Sequence, residues 1–87
     1  MKILVAEALA PSGVELLRRH HEVDERLGLS AEDYRAILPE YDALLVRSQV
    51  KVDAAMIAAG TRLTVIGRAG VGVDNVDLEA ATHAGIT

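Results

Sequence analysis

Residues 42–66, DALLVRSQVKVDAAMIAAGTRLTVI, carry the pattern that decides the fold. Ala43 to Val46 is an uninterrupted apolar run, short enough for a strand and suited to one covered on both faces, as in parallel sheets. Asp42 leads into it, and Arg47 and Ser48 sit at its far tip. Asp53 is placed to cap a helix in which Val52 and Ile57 have hydrophobic-staple spacing, and Gly60 to end it in a left-handed conformation. Leu63 to Ile66 is the next buried strand. Strand, capped helix, strand is a βαβ unit, and its two strands run parallel.

The same grammar extends in both directions. Towards the start, Lys2 to Ala6 is a branched apolar run, and Pro11 pre-sets the first turn of a helix that reaches to about His20. Val14 and Leu17 share a face of that helix, and Arg18 and Arg19 complement its carboxyl-terminal dipole. Glu22 to Glu25 has only Val23 as an apolar residue and reads as an edge strand. Gly28 breaks the chain. Ser30 opens a capping box with Asp33, Tyr34, Ile37 and Leu38 repeat at helical spacing, and Pro39 closes the helix. Towards the end, Gly67 to Val73 has three glycines in seven residues, and a last helix starts around Asp77 and Glu79 and finishes near Gly85. The expectation is one α/β unit, a flavodoxin-like doubly wound parallel sheet with right-handed crossovers and strand order 2-1-3-4. A fifth strand would begin where residue 87 stands, so the sheet is expected to be cut short with its fourth strand as an open edge. Such an edge invites self-association, as a homodimer or larger, by edge pairing or exchange of the last helix.

Composition narrows the partners. An 87-residue chain is expected to hold a single domain, and 51% apolar residues can fill a core. Aromatics are 2%, so Leu, Ile, Val and Ala must do the filling and bases find no stacking platform. Nine basic against thirteen acidic residues, net −4, repel a phosphate backbone and argue against nucleic acid. The chain has no cysteine, hence no disulfide or thiolate metal site, and no leader or membrane-spanning run, which together suggest a cytoplasmic location.

In open α/β sheets ligands sit beyond the carboxyl ends of the strands, which points to Glu7–Ala10, Arg47–Gln49 and Gly67–Val73. Adjacent strand tips are about 4.8 Å apart, so Arg47 and Arg68 are expected to border one cleft for a small carboxylate or phosphate ligand. The competing reading pairs each arginine with a carboxylate such as Glu7 or Asp74. Gly67-Arg68-Ala69-Gly70-Val71-Gly72-Val73-Asp74-Asn75 nearly spells a dinucleotide fingerprint but has Asn75 where the third glycine belongs, so that reading is rejected. Gly70 and Gly72 still allow backbone amides to approach an anion; otherwise the stretch is a tight strand-to-helix turn without a ligand. His20, His21 and His83 lie at helix ends and read as polar caps. No carboxylate pair, metal cluster or nucleophile elbow appears at hydrolytic spacing. A phosphoacceptor or flavin module fits poorly, because the first strand's tip offers Glu7-Ala8-Leu9-Ala10 and the third's offers Arg47-Ser48.

Taken together, DALLVRSQVKVDAAMI and LTVIGRAGVGVDNVDLEAATHAGI resemble the D-2-hydroxyacid dehydrogenase family, and within it the branch acting on 3-phosphoglycerate. The resemblance covers nearly the whole chain. It implies an oxidoreductase that uses NAD to convert 3-phosphoglycerate to 3-phosphohydroxypyruvate in serine biosynthesis, with residues 1–87 a partial substrate-binding domain. It further implies that Arg47 and Ser48 contact the substrate, the arginine at its phosphate, and that the amides around Gly70, Val71 and Gly72 hold its carboxylate. Val71 stands where relatives often carry threonine, which weakens any cofactor contact there. Arg68 lines the pocket or is structural. The family's cofactor domain, with its catalytic arginine, glutamate and histidine, is absent from these residues, so the chain alone is expected to be inactive and to bind no NAD tightly.

Overall fold

A computed structural model describes residues 1–47, 49–68 and 85. The central pair of strands is β1 (Lys2–Val5) and β3 (Ala43–Val46), joined in parallel with Ile3 opposite Ala43 and Val5 opposite Leu45. Their side chains alternate between two cores, as the strand period of two requires. Leu4, Ala6, Leu44 and Val46 point to one face, where they meet Tyr34, Leu38, Met56 and Ile57. Ile3, Val5 and Ala43 point to the other, where Leu9 and Leu17 pack. Burial on both faces is why these strands read as unbroken apolar runs.

The remaining elements are α1 (Pro11–Arg18), β2 (Glu22–Glu25), α2 (Ala31–Ile37), α3 (Ala54–Ala59) and β4 (Val65–Arg68). The four strands form one parallel sheet in the order β2-β1-β3-β4, the expected 2-1-3-4. Each helix starts as its sequence dictates. Pro11 occupies the first turn of α1, the Ser30 side chain accepts from the Asp33 N–H at 3.1 Å, and Asp53 accepts from the Met56 N–H at 2.9 Å. Val52 and Ile57, the staple pair around the Asp53 cap, are both buried.

Three expectations are corrected. The fourth strand runs Val65–Arg68, two residues later than Leu63 to Ile66. Leu63 turns into the core, its N–H on the Gly60 carbonyl, and Thr64 N–H meets the Asp42 carbonyl at 2.9 Å before the ladder opens with Val65 opposite Ala43. Gly67 and Arg68 are therefore strand, not loop. Gly60 has φ −82°, so it is not left-handed; glycine is needed because a Cβ would lie 2.4 Å from Leu63 Cδ1 and 3.3 Å from Leu38 Cδ2. Gly28, with φ 72°, and Gly85, with φ 73°, are the left-handed glycines among the described residues. As expected, α2 closes just before Pro39, at Ile37, and a 3-10 turn over Leu38–Glu40 follows it. Helix α1 stops at Arg18, and His20 and His21 fold back through their backbone N–H groups onto the Leu17 carbonyl. They cap through backbone, and His21 Nδ1 is buried without a partner. The proposed last helix and His83 lie outside the described residues.

Candidate functional site

Strand order reverses between β1 and β3, and an open α/β sheet has its crevice at that point. Here an open cleft of about 770 Å³ lies beyond the carboxyl ends of the strands, between the tip of β1, the loop entering α2 and the turn after β3. Its wall includes Glu7, Leu29, Tyr34, Arg47, Gln49 and Lys51. Tyr34 ties three of its parts together. The phenol lies 3.0 Å from the Ala6 carbonyl and 2.8 Å from the Arg26 carbonyl, and the Leu29 N–H reaches it at 3.4 Å. A tyrosine read from spacing as core is thus also the brace beneath the cleft.

Arg47 is exposed, one residue beyond β3, and belongs to the cleft wall. Arg68 is half-buried at the end of β4, opposite Val46 in register. The two arginines therefore occupy neighbouring strand ends at the same rim of the sheet, but the cleft wall contains Arg47 and not Arg68. Arg68 is still paired in the ladder, opposite Val46, whereas Arg47 is the residue after Val46 and has left it. Ser48, Gly70, Val71 and Gly72 lie outside the described residues.

Glu7 joins the tip of β1 to the turn after β3, a role that residue types alone did not reveal. Its Oε2 accepts from the backbone N–H of Arg47 and, at 3.2 Å, from that of Val50, while its Oε1 accepts from Gln49 N–H at 3.0 Å. Burial raises the carboxyl's pKa, but these three amide bonds and the charge of Arg47 outweigh it and hold the group below its ordinary value of 4.5. Glu7 thus bonds the backbone of the Arg47 turn in addition to feeling that arginine's charge. The signal that could have found it was position: a single carboxylate at the β1 tip, facing the β3 turn across the switch point.

What this rim can do chemically is hold an anion against a guanidinium fork supplied by a braced turn. The near-fingerprint positions Gly70, Gly72 and Asn75 lie outside the described residues. Gly67 is paired with Leu45 inside the sheet, where a Cβ would lie 2.5 Å from Leu45 Cδ2, so this glycine serves strand packing and does not open a phosphate loop.

Comparison with known proteins agrees with this layout. Among curated relatives, D-3-phosphoglycerate dehydrogenase of Archaeoglobus fulgidus is 48% identical over 87 residues, covering 99% of this chain and 16% of the relative. D-3-phosphoglycerate dehydrogenase 2, chloroplastic, of Arabidopsis thaliana is 53% identical over 85 residues, covering 97% of this chain and 14% of the relative. The chain thus spans about a sixth of the length of such relatives. Among solved structures, the NAD+-bound 3-phosphoglycerate dehydrogenase of Entamoeba histolytica superposes with TM-score 0.87 at 34% identity, over 99% of this chain and 31% of that one. The PH0520 protein of Pyrococcus horikoshii reaches TM-score 0.94 at 29% identity, over 98% and 26% of the respective chains. The family model of the D-isomer specific 2-hydroxyacid dehydrogenase catalytic domain matches residues 3–87, nearly the whole chain, and the chain belongs to that family.

Proposed function

We propose that residues 1–87 are the substrate-binding side of an NAD-dependent dehydrogenase that oxidises 3-phosphoglycerate to 3-phosphohydroxypyruvate in serine biosynthesis. The observation that carries this reading is the 44–53% identity, over nearly the whole chain, to relatives named D-3-phosphoglycerate dehydrogenase. In this reading the planar fork of Arg47 takes the substrate phosphate, where a bidentate pair gives both charge and orientation. Ser48 assists it, and the amides of Gly70, Val71 and Gly72 hold the substrate carboxylate. Val71 brings no hydroxyl to a cofactor, and Arg68 stiffens the rim from within the sheet. Proton abstraction and uptake of NAD are assigned to residues other than these 87, in a separate cofactor domain, and the working location is the cytoplasm.

Calorimetric titration of 3-phosphoglycerate into the chain tests the reading, with D-glycerate, which lacks the phosphate, as control. Half a cleft gives weak binding, on the order of 1 mM. The expected result is saturable binding of 3-phosphoglycerate, at least tenfold weaker for D-glycerate and for Arg47→Ala. Equal affinity for the two compounds, or an Arg47→Ala variant that binds as the parent does, overturns it.

A further inference from the structure

The amides of the turn after β3 already hold an anion, and it is the protein's own. Glu7 reaches across the switch point to residues 40, 42 and 43 positions away and places one oxygen on the N–H groups of Arg47 and Val50 and the other on that of Gln49. We propose that Glu7 is a positioning residue for Arg47: its carboxylate fixes the backbone from which the guanidinium projects, and by filling the turn's amides it directs an incoming anion to the side chain. The proposal deepens the reading of Arg47 as the phosphate contact and rests on it for its functional meaning.

The charges around this carboxylate make the arrangement one-sided. Arg47, Lys51 and Asp53 share the cleft wall with Glu7, and Asp53 is committed to the Met56 N–H at the start of α3. The Tyr34 hydroxyl is engaged with the Ala6 and Arg26 carbonyls. Both oxygens of Glu7 face N–H donors, so a neutral amide cannot replace it: Gln at position 7 must turn its own NH2 towards one of the two donor sets. Glu7→Gln therefore opens part of the clamp while nearly preserving volume, which separates positioning from packing.

The test is nuclear magnetic resonance on the 87-residue chain and its Glu7→Gln and Glu7→Ala variants. In the parent, the amide protons of Arg47, Gln49 and Val50 are expected to titrate in one shared step with a midpoint below 4.5, and that step to vanish in both variants. The Arg47 Nε–H is expected to lose order on the nanosecond scale in Glu7→Gln, and 3-phosphoglycerate affinity to fall roughly tenfold. If Glu7→Ala does not fold, Glu7→Gln alone decides. Persistence of the shared step in Glu7→Gln, or unchanged Arg47 order there, overturns the proposal. Should parent Arg47 ignore 3-phosphoglycerate while the shared step and the loss of order are both seen, the phosphate reading fails and the positioning of Arg47 by Glu7 stands.

Discussion

Tyr41 shows how one residue of this chain couples folding to pH. Its hydroxyl donates to Asp24 Oδ2 at 2.7 Å, and burial first, then that carboxylate, pushes its pKa up to about 12. The neutral phenol is the folded form, so its stabilisation is complete below the unfolded value of 10 and is lost as pH rises through 12. Tyr41→Phe is expected to cost about 1–2 kcal/mol at pH 7 and to remove this part of the alkaline instability, so parent and variant converge between pH 10 and 12 in urea unfolding curves. Curves that stay parallel across that range count against the hydrogen bond. Glu7 works in the opposite sense. Its lowered carboxyl stabilises the fold above pH 4.5, and that contribution fades as pH falls through the folded value. Gly60 is a steric case: Gly60→Ala is expected to destabilise by about 1–3 kcal/mol, because the new Cβ meets Leu63 and Leu38, both buried. A thermal melt unchanged by that substitution contradicts the packing described.

At the scale of elements, the strands and caps were legible because each has a local cause. Ala43 to Val46 matched to the residue since Asp42 and Arg47 bound an apolar run, and Ser30 and Asp53 cap as their spacing requires. Removing either cap, by Ser30→Ala or Asp53→Ala, is expected to cost about 1 kcal/mol in chemical denaturation. A loss near zero for both places the helix starts elsewhere. The fourth strand was misplaced by two residues because its start is set by a distant partner: the Thr64 N–H bonds the Asp42 carbonyl, and sequence offers no sign of that register. Glu7 was read as a carboxylate able to pair with an arginine, but its bonds to the backbone of the β3 turn were hidden for the same reason, its three partners lying 40 or more positions away. Arg47 was legible as a rim residue because it follows an apolar strand, while the placing of Arg68 inside the sheet, opposite Val46, depends on the long-range register of the β3–β4 ladder.

For the whole molecule, the two edges of the sheet differ. β2 carries Glu22, Asp24 and Glu25, charges that discourage pairing, whereas β4 has Val65 at 37% exposure and, among the described residues, no strand on its outer side. Self-association through β4 is therefore expected, and light scattering at micromolar concentration checks it: a dimer or larger agrees, a stable monomer does not. No helix among the described residues is long and apolar enough to cross a membrane. With proton abstraction assigned elsewhere, the purified chain is expected to reduce no NAD in the presence of 3-phosphoglycerate, and sustained turnover would contradict that assignment.

The central claim is that the rim beyond β3 receives a doubly anionic metabolite through Arg47. Following the Arg47 Nε–H resonance while 3-phosphoglycerate is added tests this most directly. The expected result is a saturable shift of that resonance, with the Arg47, Gln49 and Val50 amides moving at the same concentration; a resonance that stays still while the ligand perturbs another part of the chain would contradict it.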